Sequence, residues 1–362
     1  MILYINGNFL AEPLTGVQQY AMAMLRQIDR MLLEEGFGGF CEAVLLTPQE
    51  AVCPIQLQFV KIKKVGHWRG NLWEQCELPF ATGDEWLLNF CNRAPLFKKK
   101  QVLVIHDAAI SATPGRFSKR FRLFWQSCYR VFAFTLPKII TVSDFSRNEL
   151  HNYFDIPKEK VDVIHPGVEH LQSKQPDFSI LDKFSLVERK FILAVGATAN
   201  KNLHVVSQAL SYLDKALLLV IVGKVEELRS LQVSNKRVVL TGRVTDEELA
   251  ALYKKAVCLV FPSLYEGFGI PPIEGMSLAC PVIVAGRASL PEVCLDAAVY
   301  CNPADEKDVA EKIGLILHDD ALAEDYRKRG LARAAEFSWA QSARMLSNTL
   351  KQLVMSTGHK DF

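Results

Sequence analysis

The feature that most restricts the fold of this chain is a double series of short, continuous apolar runs with helical patterns between them. The first series is Ile2–Ile5, Ala43–Leu46, Trp86–Phe90, Val102–Ile105, Lys138–Val142 and Val161–Ile164. The second is Phe191–Val195, Leu217–Val222, Arg237–Leu240, Val257–Phe261, Pro281–Ala285 and Ala298–Cys301. Runs that are apolar throughout belong to strands covered on both faces, hence to parallel sheets with helices above and below. Two such series predict an α/β chain of two Rossmann-like domains facing a cleft. The polar stretch His170–Ser179 separates them. The expected division is therefore a domain over 1–170, a linker region over 171–186, a second domain over 187–340 and a C-terminal helix over 341–362. That helix has Ser338 as its cap and can cross back to the first domain.

Lys plus Arg (42) nearly balance Asp plus Glu (40), which gives no polyanion-binding signature and no expectation of a nucleic-acid partner. The nine cysteines are scattered and contain no Cys-x-x-Cys pair, the pattern of reduced cytosolic thiols rather than of a zinc site or a disulfide framework. The start, MILYINGNFL, has no basic leader, and no apolar run approaches the ~18 residues that span a bilayer. A cytoplasmic protein is expected, with a peripheral place on the inner face of the plasma membrane as an option.

The most informative stretch is Phe261-Pro262-Ser263-Leu264-Tyr265-Glu266-Gly267-Phe268-Gly269-Ile270-Pro271-Pro272-Ile273-Glu274-Gly275. An apolar strand ends at Pro262, two glycines allow close backbone approach, and prolines suit the first turn of the helix that follows. The helix amino end at Ile270, with the Gly267 and Gly269 amides, would hold a diphosphate. Glu266 and Glu274 could accept hydrogen bonds from a sugar and a ribose on either side of it. Each glutamate alone reads more readily as a solvated residue at a helix start; the whole string is far more specific.

This string resembles the retaining nucleotide-sugar glycosyltransferases of glycosyltransferase family 4, which have the two-domain glycosyltransferase-B fold, through its Glu-x7-Glu motif. The likeness extends to Thr15-Gly16-Val17, Ile105-His106-Asp107, Thr141 to Arg147, His165-Pro166-Gly167-Val168, Thr241-Gly242-Arg243-Val244 and Ser289 to Val293. Gly70-Asn71-Leu72-Trp73-Glu74-Gln75 looks like a segment of polysaccharide mannosyl- and rhamnosyltransferases in this group. The resemblance implies catalytic roles for His106, Lys201 and Glu266. It implies donor binding by Gly16, Asn200, Arg243, Val244, Gly267, Phe268, Gly269, Ile270 and Glu274. Lys201 matches a phosphate-binding lysine, whereas the arginine that usually precedes it has no counterpart in Ala197-Thr198-Ala199-Asn200. His106 would hydrogen-bond the donor sugar and help screen the departing charge, and Asp107 reads better as a local cap.

The implied activity is retaining, metal-independent hexosyl transfer in polysaccharide biosynthesis, with the leaving phosphate taking the acceptor's proton. GDP-mannose is favoured as donor, then dTDP-rhamnose, then a UDP-sugar, bound by the domain over 187–340; the acceptor would be a glycan or a polyprenol-linked glycan, bound by the domain over 1–170. No Asp-x-Asp offers a metal site, and no cofactor is expected. An NAD-dependent oxidoreductase is disfavoured because no Gly-x-Gly-x-x-Gly follows Ile2–Ile5 or Phe191–Val195. A non-catalytic nucleotide-sugar-binding protein, a nucleotide-sugar epimerase or a glycan phosphorylase of the same fold stays open. Between Lys61 and Arg147, fifteen Lys/Arg face six Asp/Glu, a net charge of +9. There Phe117, Phe121, Phe124, Trp125, Cys128 and Phe132 form a helical stripe beside basic residues. The stripe either packs on the core or meets an anionic membrane surface.

Overall fold

A computed structural model of the chain describes residues 1–34, 36–223 and 236–358. The chain divides into two units, one holding residues 1–166 together with the helix that starts at Trp339, the other holding Gly167–Ser338. Seven parallel strands build the first: β1 (Ile2–Asn6), β2 (Glu42–Thr47), β3 (Lys61–Lys64), β4 (Trp86–Asn89), β5 (Gln101–Val104), β6 (Lys138–Thr141) and β7 (Val161–Val163), in the order β3-β2-β1-β4-β5-β6-β7. Every residue of β4 and β5 is buried, as continuous apolar runs require. β3, Lys-Ile-Lys-Lys, is exposed throughout and blunts the sheet edge with charge.

The helix Gly16–Glu34 buries Tyr20, Met24, Leu25 and Ile28 at helical spacing. Against it packs the C-terminal helix Trp339–Gly358, through buried Ala343, Leu346 and Leu350. The Trp339 ring meets the Tyr20 ring edge-on at 5.3 Å, and Ser347 Oγ accepts from Gly38 N at 2.8 Å. The C-terminal helix thus belongs to the first unit and begins at 339 rather than 341.

The second unit's six parallel strands are β8 (Phe191–Val195), β9 (Leu218–Val222), β10 (Val238–Gly242), β11 (Leu259–Phe261), β12 (Val282–Ala285) and β13 (Val299–Cys301), in the order β10-β9-β8-β11-β12-β13. The segment read as a linker, 171–186, lies inside this unit. It carries the short helix Ser179–Lys183 and the end of Glu169–Gln172, with Leu171 and Ile180 fully buried, while Asp177 N donates to Glu247 O at 3.0 Å. Two buried apolar anchors tie a stretch whose composition reads as solvent-exposed, so the division falls at 166/167.

In both sheets the strand order reverses beside the first strand, between β1 and β4 and between β8 and β11. Loops leaving two such strands diverge and open a crevice at their carboxyl ends, where ligands of open α/β sheets bind.

The aromatic stripe is not one face. On the helix Lys119–Thr135, Trp125, Cys128 and Phe132 are buried in the core, Phe121 and Phe124 are about half exposed, and Leu123 and Phe134 point outward. No described helix is long and apolar enough to cross a membrane.

Candidate functional site

In the second unit, the loop after β8 supplies Lys201 and the loop after β11 supplies Glu266, so the two side chains meet across the β8/β11 reversal. Lys201 Nζ lies 2.7 Å from Glu266 Oε1. Both are mostly covered, with side-chain exposures of 15% and 14%. The same carboxylate oxygen accepts from Ser263 Oγ and, at 3.3 Å, from Asn200 Nδ2. Asn200 also donates to Tyr265 O at 3.0 Å and takes the Thr198 hydroxyl on its Oδ1 at 2.6 Å. Asn200, Lys201 and Glu266 therefore form one network, in which a largely covered carboxylate is both ion-paired and hydrogen-bonded.

The lysine's path is set by its neighbours. Gly196 has φ +94°, a backbone conformation that side chains rarely adopt, and the Lys201 stem packs over it, with Cε 2.9 Å from where a Cβ would stand. The ammonium sits 4.4 Å from the centre of the Phe261 ring.

Beyond Glu266 the chain turns into the helix Ile270–Ser277 through Gly269, whose φ is +97° and where a Cβ would meet Leu290 at 2.7 Å. Pro271 and Pro272 withdraw two N–H donors from the first turn, so the amino end offers fewer donors than an ordinary helix. The loop backbone is braced by Ser289 Oγ, which donates to Glu266 O at 3.0 Å and Phe268 O at 2.9 Å. The Phe268 ring turns inward and packs edge-on against Phe337 at 5.3 Å.

Glu274 is 6% exposed. Its Oε1 lies 3.2 Å from His170 Nε2, and its Oε2 accepts from Tyr253 OH at 3.2 Å. Burial pulls the His170 pKa down, but the hydrogen bond and charge of Glu274, with Asp246 and Glu169, outweigh it and leave it raised. Burial and the Glu274 charge push the Tyr253 phenol well up. Arg243 and Val244 leave β10 at the same sheet edge, the first exposed and the second half-buried.

His106 and Gly16 lie in the first unit. Gly16 opens the helix after β1 and is exposed, beside Thr15, whose N–H donates to Gln18 Oε1 at 3.1 Å. His106 follows β5, its Nε2 2.9 Å from Phe90 O and its ring edge-on to Tyr20 at 4.8 Å. Facing a carbonyl, Nε2 must carry the proton, which leaves Nδ1 as an acceptor. Burial pushes the imidazole down to about 4, against the pull of the Phe90 carbonyl. A ring neutral at pH 7 can accept from a hydroxyl through Nδ1. Asp107 Oδ1 caps Ala109 N at 2.9 Å, the local cap expected.

Sequence reasoning missed His170, Tyr253, Ser263 and Ser289. Ser263 sat in the diagnostic string, and His170 stood in the stretch read as linker. Ser289 opened the Ser289 to Val293 segment but was given no role, and Tyr253 reaches the site only through tertiary packing. Among the described residues no group of three or more His, Cys, Asp or Glu gathers as metal ligands would.

Residues 179–333 match the family described as Glycosyl transferases group 1, and residues 84–170 match Glycosyltransferase Family 4. The O-antigen chain mannosyltransferase B of Escherichia coli is 31% identical over 271 residues, which cover 70% of this chain and 71% of that protein. The serotype-specific mannosyltransferase WbdA of Escherichia coli is 30% identical over 289 residues, 72% of this chain but 34% of that protein, so the chain spans about a third of this longer relative. Among solved structures, Anabaena HepE in complex with UDP and glucose aligns with a TM-score of 0.73 at 16% identity, over 96% of this chain and 98% of that one, a likeness of fold. The chain belongs to glycosyltransferase family 4, and its two parallel-sheet units are those of the glycosyltransferase-B fold.

Proposed function

We propose that the chain transfers a mannosyl group from GDP-mannose to a glycan of a cell-surface polysaccharide, with retention at the anomeric carbon and without a metal ion. dTDP-rhamnose and UDP-sugars are the next donors. The observation that carries this reading is the Lys201–Glu266 pair at the β8/β11 reversal. An ammonium has three N–H donors, so Lys201 can keep Glu266 and still bind a departing diphosphate. All three contacts to Glu266 fall on Oε1. A carboxylate so engaged is a weak nucleophile, and its Oε2 remains to accept from a sugar hydroxyl. Glu274 would take the ribose through lone pairs that His170 and Tyr253 leave unused. The acceptor's proton then passes to the leaving phosphate, and no covalent sugar–enzyme intermediate forms.

The test is transfer from GDP-mannose, dTDP-rhamnose and UDP-glucose to a mannan oligosaccharide, with the product anomer read by NMR and the assay repeated in EDTA. A retained product and undiminished activity in EDTA are expected. An inverted anomer, or loss on chelation restored by Mg²⁺ or Mn²⁺, would overturn the mechanism. Donor binding without transfer would instead support a non-catalytic nucleotide-sugar-binding protein.

A lipid-linked acceptor fits the outward residues of the helix Lys119–Thr135, where exposed Leu123, Phe124 and Phe134 stand beside Lys119, Arg120 and Arg130. Such a face can rest on an anionic membrane, each near-surface cation contributing about 1 kcal/mol. Cosedimentation with vesicles should be salt-sensitive and favour anionic over neutral lipid. Equal binding to both would favour a soluble acceptor and a protein that stays in the cytoplasm.

A further inference from the structure

His170 stands at the start of the polar stretch between the two strand series, and the donor chemistry above gives it no task of its own. Its place is nonetheless fixed. Buried Leu171 anchors the short helix Glu169–Gln172, Lys174 pairs with Glu247 at 2.7 Å, and the short helix packs against both the helix Asp246–Lys255 and the helix Ile270–Ser277. The imidazole is thereby held with its Nε2 3.2 Å from Glu274 Oε1.

Glu274 is a carboxylate in a place that disfavours a second anion. It is buried, and it lies one turn from the Ile270 end of its helix, about 6 Å along the axis. A diphosphate held at that end meets a like charge that water screens poorly. Among the described residues the side-chain partners of Glu274 are His170 and Tyr253. Tyr253 cannot offset the charge. Its one hydroxyl hydrogen is shared between Glu274 Oε2 and Pro271 O, both at 3.2 Å, and burial with the Glu274 charge keeps the phenol protonated and neutral. Of the two partners, only His170 can become a cation.

We propose that protonated His170 is the counter-charge that lets Glu274 stay ionised beside a bound diphosphate, so that donor affinity falls when His170 loses its proton. The proposal rests on the reading of Glu274 as the ribose acceptor, and it makes His170 a positioning residue that acts through that carboxylate. Facing a carboxylate, Nε2 keeps its hydrogen in both states, so the proton that leaves is the one on Nδ1. Titration therefore removes the charge and spares the hydrogen bond. The groups around the imidazole agree in sign: Glu274 from the helix Ile270–Ser277, Asp246 from the helix Asp246–Lys255, and Glu169 from its own turn. Burial pulls the imidazole down, but these three carboxylates more than restore it, and folded His170 titrates above its ordinary 6.5. The cation thus persists to a higher pH than that of a free histidine.

Calorimetric titration of the full chain with GDP-mannose and with UDP-glucose, from about pH 6 to about pH 8.5, tests this on wild type, His170→Gln and His170→Arg. The diphosphate of a nucleotide sugar keeps a constant charge over this range, so a pH dependence belongs to the protein. Wild type should bind its donor about fivefold more weakly at the upper pH, the scale of one partly screened charge. Glutamine can donate to Glu274 but carries no charge, so His170→Gln should bind at the weaker level throughout. His170→Arg stays charged and should show no fall. A wild-type affinity that does not fall, or a fall that persists in either variant, would overturn the proposal and leave the ribose role of Glu274 standing. No binding of either nucleotide sugar at any pH would overturn both. NMR titration of the imidazole reads the pair without any donor: His170 should titrate above 6.5 in the wild type and lower in Glu274→Gln, and a wild-type value at or below 6.5 would overturn the proposal.

Discussion

Replacing Lys201 by methionine is expected to lower the turnover number about 10²- to 10³-fold, the cost of removing one preorganised charge partner from a transition state. Methionine keeps an unbranched stem of similar length, so the path over Gly196 and beside the Phe261 ring stays filled. What is lost is the ammonium, whose charge matters most as negative charge gathers on the leaving diphosphate. Glu266 loses its ion pair but keeps Ser263 and Asn200, so the loop should hold its shape at some cost in stability. Adding Glu266→Gln to Lys201→Met should recover that stability without recovering turnover. If the substitution moves only the donor Michaelis constant, the lysine binds ground and transition states alike and the role given to it is wrong. If the double variant regains turnover, the lysine acts by restraining Glu266 rather than by meeting phosphate.

Much of this architecture is legible in the sequence because buried parallel strands must be apolar on both faces. All six runs expected in the second unit become strands, from Phe191–Val195 to Val299–Cys301. Lys61–Lys64 escaped because an edge strand needs no apolar face, and Lys-Ile-Lys-Lys contains no apolar run. The segment after His170 failed in the opposite sense. Its composition is polar, but the two apolar residues that anchor it, Leu171 and Ile180, carry no periodic signal in so short a stretch. The Asn200–Lys201–Glu266 cluster was foreseeable from motif spacing, since each residue lies just past the end of an apolar strand. The support of Glu274 was not, because His170 and Tyr253 reach it from elements 104 and 21 residues away in sequence, by packing that no local pattern encodes.

Glu74→Gln should expose a pH dependence of stability that two opposed groups of the first unit largely cancel in the wild type. Burial raises the Glu74 carboxyl from 4.5 to about 7, against hydrogen bonds from Asn8 and Asn6 that lower it. The folded chain therefore keeps a proton that the unfolded chain has released, and stability present below pH 4.5 is lost as pH rises through 7. His106 works in the other direction. Burial lowers it from 6.5 to about 4, so the unfolded chain gains its proton first, and stability present above pH 6.5 is lost as pH falls towards 4. Each shift corresponds to about 3 kcal/mol over overlapping windows, so in the wild type the two largely offset one another between pH 4.5 and 6.5. Glutamine resembles the protonated carboxyl and can still accept from Asn8, so near pH 4.5 the variant should match the wild type. By pH 8 it should be about 3 kcal/mol more stable relative to the wild type, leaving the His106 slope unopposed. Urea unfolding followed by tryptophan fluorescence from pH 4.5 to 8 reads this difference directly. Parallel curves for the two proteins would mean that Glu74 is ionised in the folded state at neutral pH, its Oε1, which has no partner among the described residues, meeting a counter-charge or water.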